Sequence, residues 1–169
     1  MSAIDERPAA AAPRKSTLDS QLSAGEATWA LTLPHLPYGD AIHAALTTAG
    51  LVPAVLDAGL RIGKRGAGEL FLRLVWLPGS RRLGEAARAD GLTVAWSHVT
   101  GWSAHDRQGG RVLLDVDTLA DPALITDATQ HFARHGLAHG WVSPFSARWS
   151  EAVYLDIALC RFDEREAIR

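Results

Sequence analysis

The sequence predicts one α+β domain: a two-layer structure with a mainly antiparallel sheet and two principal helices packed on one face. Three observations predict this class. Of 169 residues, 47% are hydrophobic, which is enough to bury a single core. Short segments of alternating or continuous apolar residues recur along the chain, as strands require. Two other segments have apolar residues at helical spacing, with glycine, proline or aspartate at their ends.

The predicted domain begins with a strand and a helix. Residues 27–33 (ATWALTL) alternate as a half-buried strand does. Residues 38–49 place their apolar side chains on one helical face. Pro37 suits the first turn of this helix, and Gly50 suits its end.

Two strands separated by a basic loop are predicted next. Residues 51–57 form an edge strand, because Pro53 cannot donate a hydrogen bond to a neighbouring strand. The loop at 61–68 (RIGKRGAG) leads to residues 69–77 (ELFLRLVWL). This last segment is apolar on both faces apart from Arg73, which is typical of a central strand.

The middle of the chain predicts a short helix and a hairpin. The helix lies within residues 80–91, with Ser80 as its cap. Residues 92–98 alternate as a strand whose inward face ends at His98. The two glycines at 109–110 turn the chain into another strand over residues 110–116.

The last helix is clear, whereas the segment that follows is ambiguous. Asp121 and Pro122 predict the start of a helix that ends at Gly136. Residues 146–162 fit either a helix or a strand, and as a strand they would place Val153, Leu155, Ile157 and Leu159 on one face. The strand is favoured by a loose internal repeat, in which two β-α-β-β halves would form the sheet.

Composition limits the domain boundaries and the location. We expect an Ala/Pro-rich leader over residues 1–25, the folded domain over 26–162 and a charged tail over 163–169. No segment is apolar over the length of a membrane helix, and the N-terminus lacks the apolar stretch of a secretory signal. A single cysteine, Cys160, fits a reducing compartment. The expectation is a cytoplasmic protein that does not bind membranes.

Three stretches resemble a family of small actinobacterial proteins that is known only as a domain of unknown function. In chain order they are LPYGDAIHAALTTAGL, LTVAWSHVTGW and VLLDVDTLADPALI, which together span about residues 36 to 135. The chain departs from the family pattern between Trp96 and the TGW triplet, where the family is acidic and this chain has SHV. The resemblance implies an α+β domain and supplies no activity, substrate or catalytic residue.

Histidines and aspartates supply the candidate chemistry. His98 with Asp106 or Asp115 would make a general base and its orienting carboxylate, the basis of a small hydrolase or metal enzyme. No nucleophile motif accompanies them. A structural role for His98, at the end of an inward strand face, accounts for it more simply.

Two further sets have the residue types of metal ligands. Asp115, Asp117 and Asp121 offer oxygen ligands for Mg²⁺ or Ca²⁺, but turn and helix-cap roles explain the last two. His131 and His135 are four residues apart on one helix, as transition-metal ligands can be, although no HExxH motif is present. The sequence therefore predicts no catalytic residue, metal or cofactor.

Charge is unevenly distributed, although the net charge is only −2. Residues 59–88 contain seven Lys/Arg and two Glu, a balance of +5, whereas residues 113–169 contain nine Asp/Glu and five Arg, a balance of −4. A basic surface can attract polyanions. The candidate phosphate-binding residues are Arg61, Lys64, Arg65, Arg81 and Arg82.

Six tryptophans are numerous for a core of this size. Trp102, Trp141 and Trp149 fall in predicted turns, where exposed indoles would act as anchors at an interface. The leading hypothesis is a non-enzymatic module that binds a protein or peptide partner, or a second copy of itself. A nucleic-acid-associated accessory protein is the alternative, and an enzyme is the third.

Overall fold

The structure is a computed structural model, and it describes residues 33–64 and 66–168. Within these residues, five strands form one antiparallel sheet, each strand pairing with the next along the chain. The strands are β1 (Val55–Ile62), β2 (Gly68–Trp76), β3 (Leu92–Ser97), β4 (Gly101–His105) and β5 (Arg111–Leu113). The helices are α1 (Leu36–Thr48), α2 (Glu85–Arg88), α3 (Pro122–His135) and α4 (Ala152–Ala167). The predicted α+β class is confirmed, since helices pack against an antiparallel sheet.

One face of the sheet forms the core with the helices. The buried side chains of the three middle strands alternate along each strand, as a half-covered sheet requires. They are Leu70, Leu72, Leu74, Trp76, Leu92, Val94, Trp96, Trp102 and Ala104. Helix α1 lies close to β2 at Gly39, where a Cβ would be only 2.9 Å from the Leu72 side chain. Burial of each large side chain here contributes about 1.5–3 kcal/mol.

Local sequence signals set the ends of the two helices that the sequence predicts clearly. Asp121 accepts a hydrogen bond from the backbone N–H of Ala123 and so caps α3, which ends at Gly136 with φ +71°. Pro37 lies in the first turn of α1, and Gly50 follows that helix with φ +76°. These predictions are confirmed, because caps and glycine stops act within a few residues of the chain.

The predicted helix at residues 80–91 is shorter in the structure. Helix α2 begins after Gly84, and the Ser80 hydroxyl accepts a hydrogen bond from the Arg82 N–H within a turn. The backbone N–H of Gly84 donates to the Ala133 carbonyl, which ties this segment to α3. Ser80 is therefore a turn residue, and the prediction that it caps the helix is wrong.

Helix α4 covers Ala152–Ala167, so the strand interpretation of residues 146–162 and the predicted β-α-β-β repeat are wrong. The side chains that α4 buries, including Leu155, Leu159 and Phe162, recur every three or four residues. The helix also continues through residues expected in the charged tail, as far as Ala167. The remaining large apolar residues of α4 are exposed to solvent. Apolar residues therefore occur on both the buried and the exposed sides of this helix.

Two predictions fall outside the described residues: the leader at 1–25 and most of the strand at 27–33. In the part of the chain that the structure describes, no helix combines the length and the hydropathy needed to cross a membrane.

Candidate interaction surface

Trp102 is a core residue, so the prediction that it is an exposed anchor on a turn is wrong. It is the second residue of β4, it lies opposite Trp96 of the neighbouring strand β3, and it is only 1% exposed. Its indole N–H donates to the Tyr38 hydroxyl at 3.2 Å, and that hydroxyl donates to the Ala120 carbonyl at 2.7 Å. Gly101, with φ +71°, makes the turn before the strand and returns the indole to the core.

Trp141 and Trp149 are half-buried against the core. The indole N–H of Trp141 donates to the Asp127 carboxylate at 2.8 Å. The Trp149 ring lies 5.0 Å from the Tyr38 ring, centroid to centroid. Both indoles therefore have contacts within the fold, and their role in binding a partner stays a prediction.

Of the five candidate phosphate-binding residues, the four that the structure describes do not form one patch. Arg61 pairs with Glu69 at 2.8 Å, and Lys64 lies in the turn between β1 and β2. Arg81 and Arg82 are exposed near the opposite end of β2, which has nine residues and so a length of about 27 Å. Arg65 lies outside the described residues.

His98 is paired with a residue that the sequence analysis missed. The Leu70 N–H donates to Nδ1 of His98 at 3.0 Å, and Nε2 lies 3.1 Å from the Asp163 carboxylate of α4. Because Nδ1 accepts, the proton is on Nε2 and is donated to Asp163. One ring nitrogen therefore contacts β2 and the other contacts α4, so that His98 connects the helix to the sheet. The ring also makes an edge-on contact with Phe162. The predicted pairing with Asp106 or Asp115 is wrong.

Those two aspartates have other environments. Asp106 accepts a hydrogen bond from the Gly110 N–H at 2.7 Å and so stabilises the β4–β5 turn. Asp115 is exposed and lines a cleft of about 280 Å³ that also includes Phe145 and Ser146. Neither contact brings a carboxylate to His98.

The other predicted ligand sets serve turns and helix ends. One oxygen of Asp117 accepts from the Leu119 N–H, and the other pairs with Arg148 at 2.9 Å. Hydrogen bonds to Asp156 and Asp117 raise the pKa of Arg148. In the described ranges no three His, Cys, Asp or Glu side chains are grouped so that they could hold a metal ion.

Three histidines lie in a column at the end of α3: His131 and His135 are in its last turns, and His139 follows it. The ring centroids of His131 and His135 are 5.0 Å apart, and those of His135 and His139 are 5.8 Å apart. Nδ1 of His139 lies 2.9 Å from the His135 carbonyl, and Nε2 of His131 lies 3.2 Å from the His139 carbonyl. These contacts satisfy carbonyls where the helix ends.

The edge strand predicted at residues 51–57 is β1, which runs instead over Val55–Ile62 and lies at one edge of the described sheet. Among the described residues, β1 pairs only with β2, and it has eight residues where the opposite edge strand, β5, has three. On its helix-side face Leu56, Leu60 and Ile62 are 41%, 46% and 75% exposed. We call this strand edge, with these three side chains, the β1 edge.

The other face of β1 is charged and paired. Asp57 lies 3.0 Å from Arg73, and Arg61 lies 2.8 Å from Glu69, each pair joining β1 to β2. The Arg61 guanidinium also lies 5.3 Å from the centre of the Phe71 ring. The alternation in VLDAGLRI, with apolar residues on one face and charged residues on the other, is the sequence signal for this strand.

Comparison with known proteins identifies no similar one: no family model, no curated sequence and no solved structure matches the chain. The resemblance to the small actinobacterial proteins therefore stays a prediction.

Proposed function

We propose that the protein is a non-enzymatic interaction module that binds a protein or peptide partner by strand addition at the β1 edge. The observation that carries the proposal is the eight-residue edge strand with three large exposed apolar side chains. An edge of this length displays unpaired backbone donors and acceptors beside apolar surface, and proteins usually shorten, charge or cover such strands. The edge at β5 is short in that way, and β1 is not.

The two faces of the β1 edge define what a partner strand would carry. Backbone hydrogen bonds would supply affinity whatever the partner's sequence, and alternate side chains would supply specificity. Apolar residues would pack beside Leu56, Leu60 and Ile62, while charged residues would lie next to Asp57 and Arg61. An amphipathic strand is therefore the ligand class that fits.

Binding is supported better than the two alternatives. Both ring nitrogens of His98 have partners, which leaves it no lone pair for proton transfer. The candidate phosphate-binding residues that the structure describes lie in two groups near opposite ends of β2, and Arg73 between them is paired with Asp57, so they do not make one continuous basic path. A cytoplasmic location, which fits the unpaired Cys160, belongs to the same proposal.

The proposal is tested by capturing partners from the native host with the tagged full chain and two lysine variants. Ile62→Lys places a charge on the β1 edge, whereas Val142→Lys places one at an equally exposed loop position. We expect Ile62→Lys to weaken capture of a specific partner by about tenfold, through lost apolar burial, and Val142→Lys to leave it unchanged.

Salt dependence separates the alternatives. Binding through the β1 edge should persist at high salt, because apolar contacts and backbone hydrogen bonds are not screened as surface charges are. Retention of the partner by Ile62→Lys would contradict the proposal. A steep loss with salt, together with loss in Arg81→Ala/Arg82→Ala, would favour a nucleic-acid ligand instead.

A further inference from the structure

We infer that the partner strand at the β1 edge is β1 of a second copy of this chain, related by a two-fold axis at Gly59. The inference rests on the proposed function, since it names the partner for the same edge. It is carried by a self-complementary pattern in the strand, Val55–Ile62, which reads VLDAGLRI.

The pattern matches itself when two copies run antiparallel with Gly59 opposite Gly59. On the charged face, Asp57 of one copy then lies opposite Arg61 of the partner subunit, and the reverse pair forms by symmetry. On the helix-side face, Leu56 lies opposite Ile62 of the partner subunit, and Ala58 lies opposite Leu60 of the partner subunit. Within residues 56–62 every opposed pair is thus either oppositely charged or apolar, apart from the central glycines.

Other registers lose this match. A shift by one residue turns one strand over and sets the apolar side chains against the charged face. A shift by two residues in one direction keeps the faces matched, but it places Asp57 opposite Gly59 and Arg61 opposite Val55. A shift by two residues in the other direction places Asp57 opposite Gly63 and Arg61 opposite Gly59. The register centred on Gly59 is the one among these that pairs the charges.

Charged side chains on β2 continue the charge complementarity beyond the two paired β1 strands. Asp57 is held by Arg73 at 3.0 Å and Arg61 by Glu69 at 2.8 Å within one chain. Joining two copies would therefore give a row that alternates in sign across four strands: Arg73, Asp57, then Arg61 and Glu69 of the partner subunit. Each exposed pair contributes little by itself, but a row of alternating charges selects register and partner.

Gly59 suits the position on the axis. The Phe71 ring of β2 lies over it, 3.2 Å from the point where a Cβ would be. Two copies would bring two Phe71 rings together above the paired glycines, so that the centre of the new sheet is covered by aromatic surface. An aromatic side chain over a strand glycine is a recognised means of stabilising an edge.

A strand pairing of this length buries less surface than a standard protein interface, so we expect a dissociation constant on the order of micromolar. The test uses sedimentation equilibrium of the full chain from about 0.1 μM to about 1 mM, a range that extends to both sides of that constant. Two single charge reversals, Asp57→Arg and Arg61→Asp, each place like charges opposite each other twice in a homodimer. Mixed together, the two variants restore both opposite-charge pairs in a heterodimer.

Each reversal should weaken self-association at least about tenfold, and an equimolar mixture should recover most of the wild-type affinity. Each variant also breaks one pair to β2, so thermal unfolding checks that both are folded. Arg82→Asp, a reversal at the far end of β2, should leave association unchanged. Recovery in the mixture depends on register, and a non-specific loss of structure would not produce it.

The outcomes that overturn the inference are distinct from those that overturn the function. A wild-type chain that stays monomeric to about 1 mM, or a dimer that neither reversal weakens, overturns the second copy as partner. The proposed function survives that result if Ile62→Lys still loses a captured host protein. Failure of the mixture to recover likewise overturns the Gly59 register. Strong hydrogen-exchange protection of β1 in a dilute monomer would show that another segment of the same chain covers the edge, and would overturn both.

Discussion

Acid should destabilise this protein through His35, a histidine buried completely at the start of α1. Its Nε2 lies 2.9 Å from the Phe71 carbonyl, its ring stacks on Trp96 at 5.6 Å, and its Nδ1 is buried with no hydrogen-bond partner among the described groups. Burial lowers the pKa of His35 from 6.5 to about 4, because a charged imidazole cannot be solvated there. The folded protein therefore holds His35 neutral.

The sign and size of the effect follow from the two pKa values. The unfolded chain takes up a proton near pH 6.5, whereas the folded chain does so only near pH 4. The stabilisation is complete above pH 6.5 and is lost as the pH falls toward 4. At about 1.4 kcal/mol for each pKa unit, the free energy of unfolding should fall by about 2 kcal/mol at pH 5 and about 3 kcal/mol at pH 4.

The assay compares urea unfolding of the wild type and His35→Gln between pH 8 and pH 4. Glutamine keeps an N–H donor for the Phe71 carbonyl but does not titrate in this range. The variant should start less stable, because the stacking on Trp96 is lost, and should then lose less stability with acid. His105, whose pKa burial also lowers, titrates in both proteins and cancels in the difference. Parallel stability profiles for the two proteins would refute the reasoning.

Two further substitutions test the core and a turn by chemical denaturation. Tyr38→Phe removes the hydroxyl between the Trp102 indole and the Ala120 carbonyl, so it should cost about 1–3 kcal/mol, whereas Tyr154→Phe on the exposed face of α4 should cost under about 0.5 kcal/mol. Equal losses at the two tyrosines would contradict the buried hydrogen-bond chain. Gly91→Ala should cost clearly more than the roughly 1 kcal/mol expected of Gly50→Ala. Both glycines have positive φ, but a Cβ at Gly91 would lie 2.7 Å from the Trp76 carbonyl oxygen, and one at Gly50 would meet nothing. A similar loss for the two alanines would show that the clash at Gly91 relaxes.

The elements that could be predicted are those whose signals are local. Helix α3 has its carboxylate cap, its proline and its terminal glycine within the printed sequence, and its boundaries match the prediction. The middle strands β2 and β3 have an apolar pattern strong enough to identify them and their buried side chains. In both cases the physics that forms the element acts between near neighbours.

The errors arose where distant residues decide the outcome. Trp102 and Tyr38 are 64 residues apart, and only their hydrogen bond in the folded chain shows that the indole is buried. Asp163, the partner of His98, is 65 residues away from it on a helix that was not identified as one. The edge strand was predicted at residues 51–57 but lies at Val55–Ile62, because pairing with β2 extends it past Gly59 into the predicted loop.

The central claim, that the β1 edge pairs with β1 of a second copy of the chain, is tested most directly by hydrogen exchange of the full chain at several protein concentrations. The account predicts that the β1 amides which do not face β2 become more protected as concentration rises, and that Asp57→Arg abolishes the change. The short edge at β5 provides the internal comparison and should not change. Protection of β1 that is independent of concentration in the wild type, and unaltered in Asp57→Arg, would contradict the account.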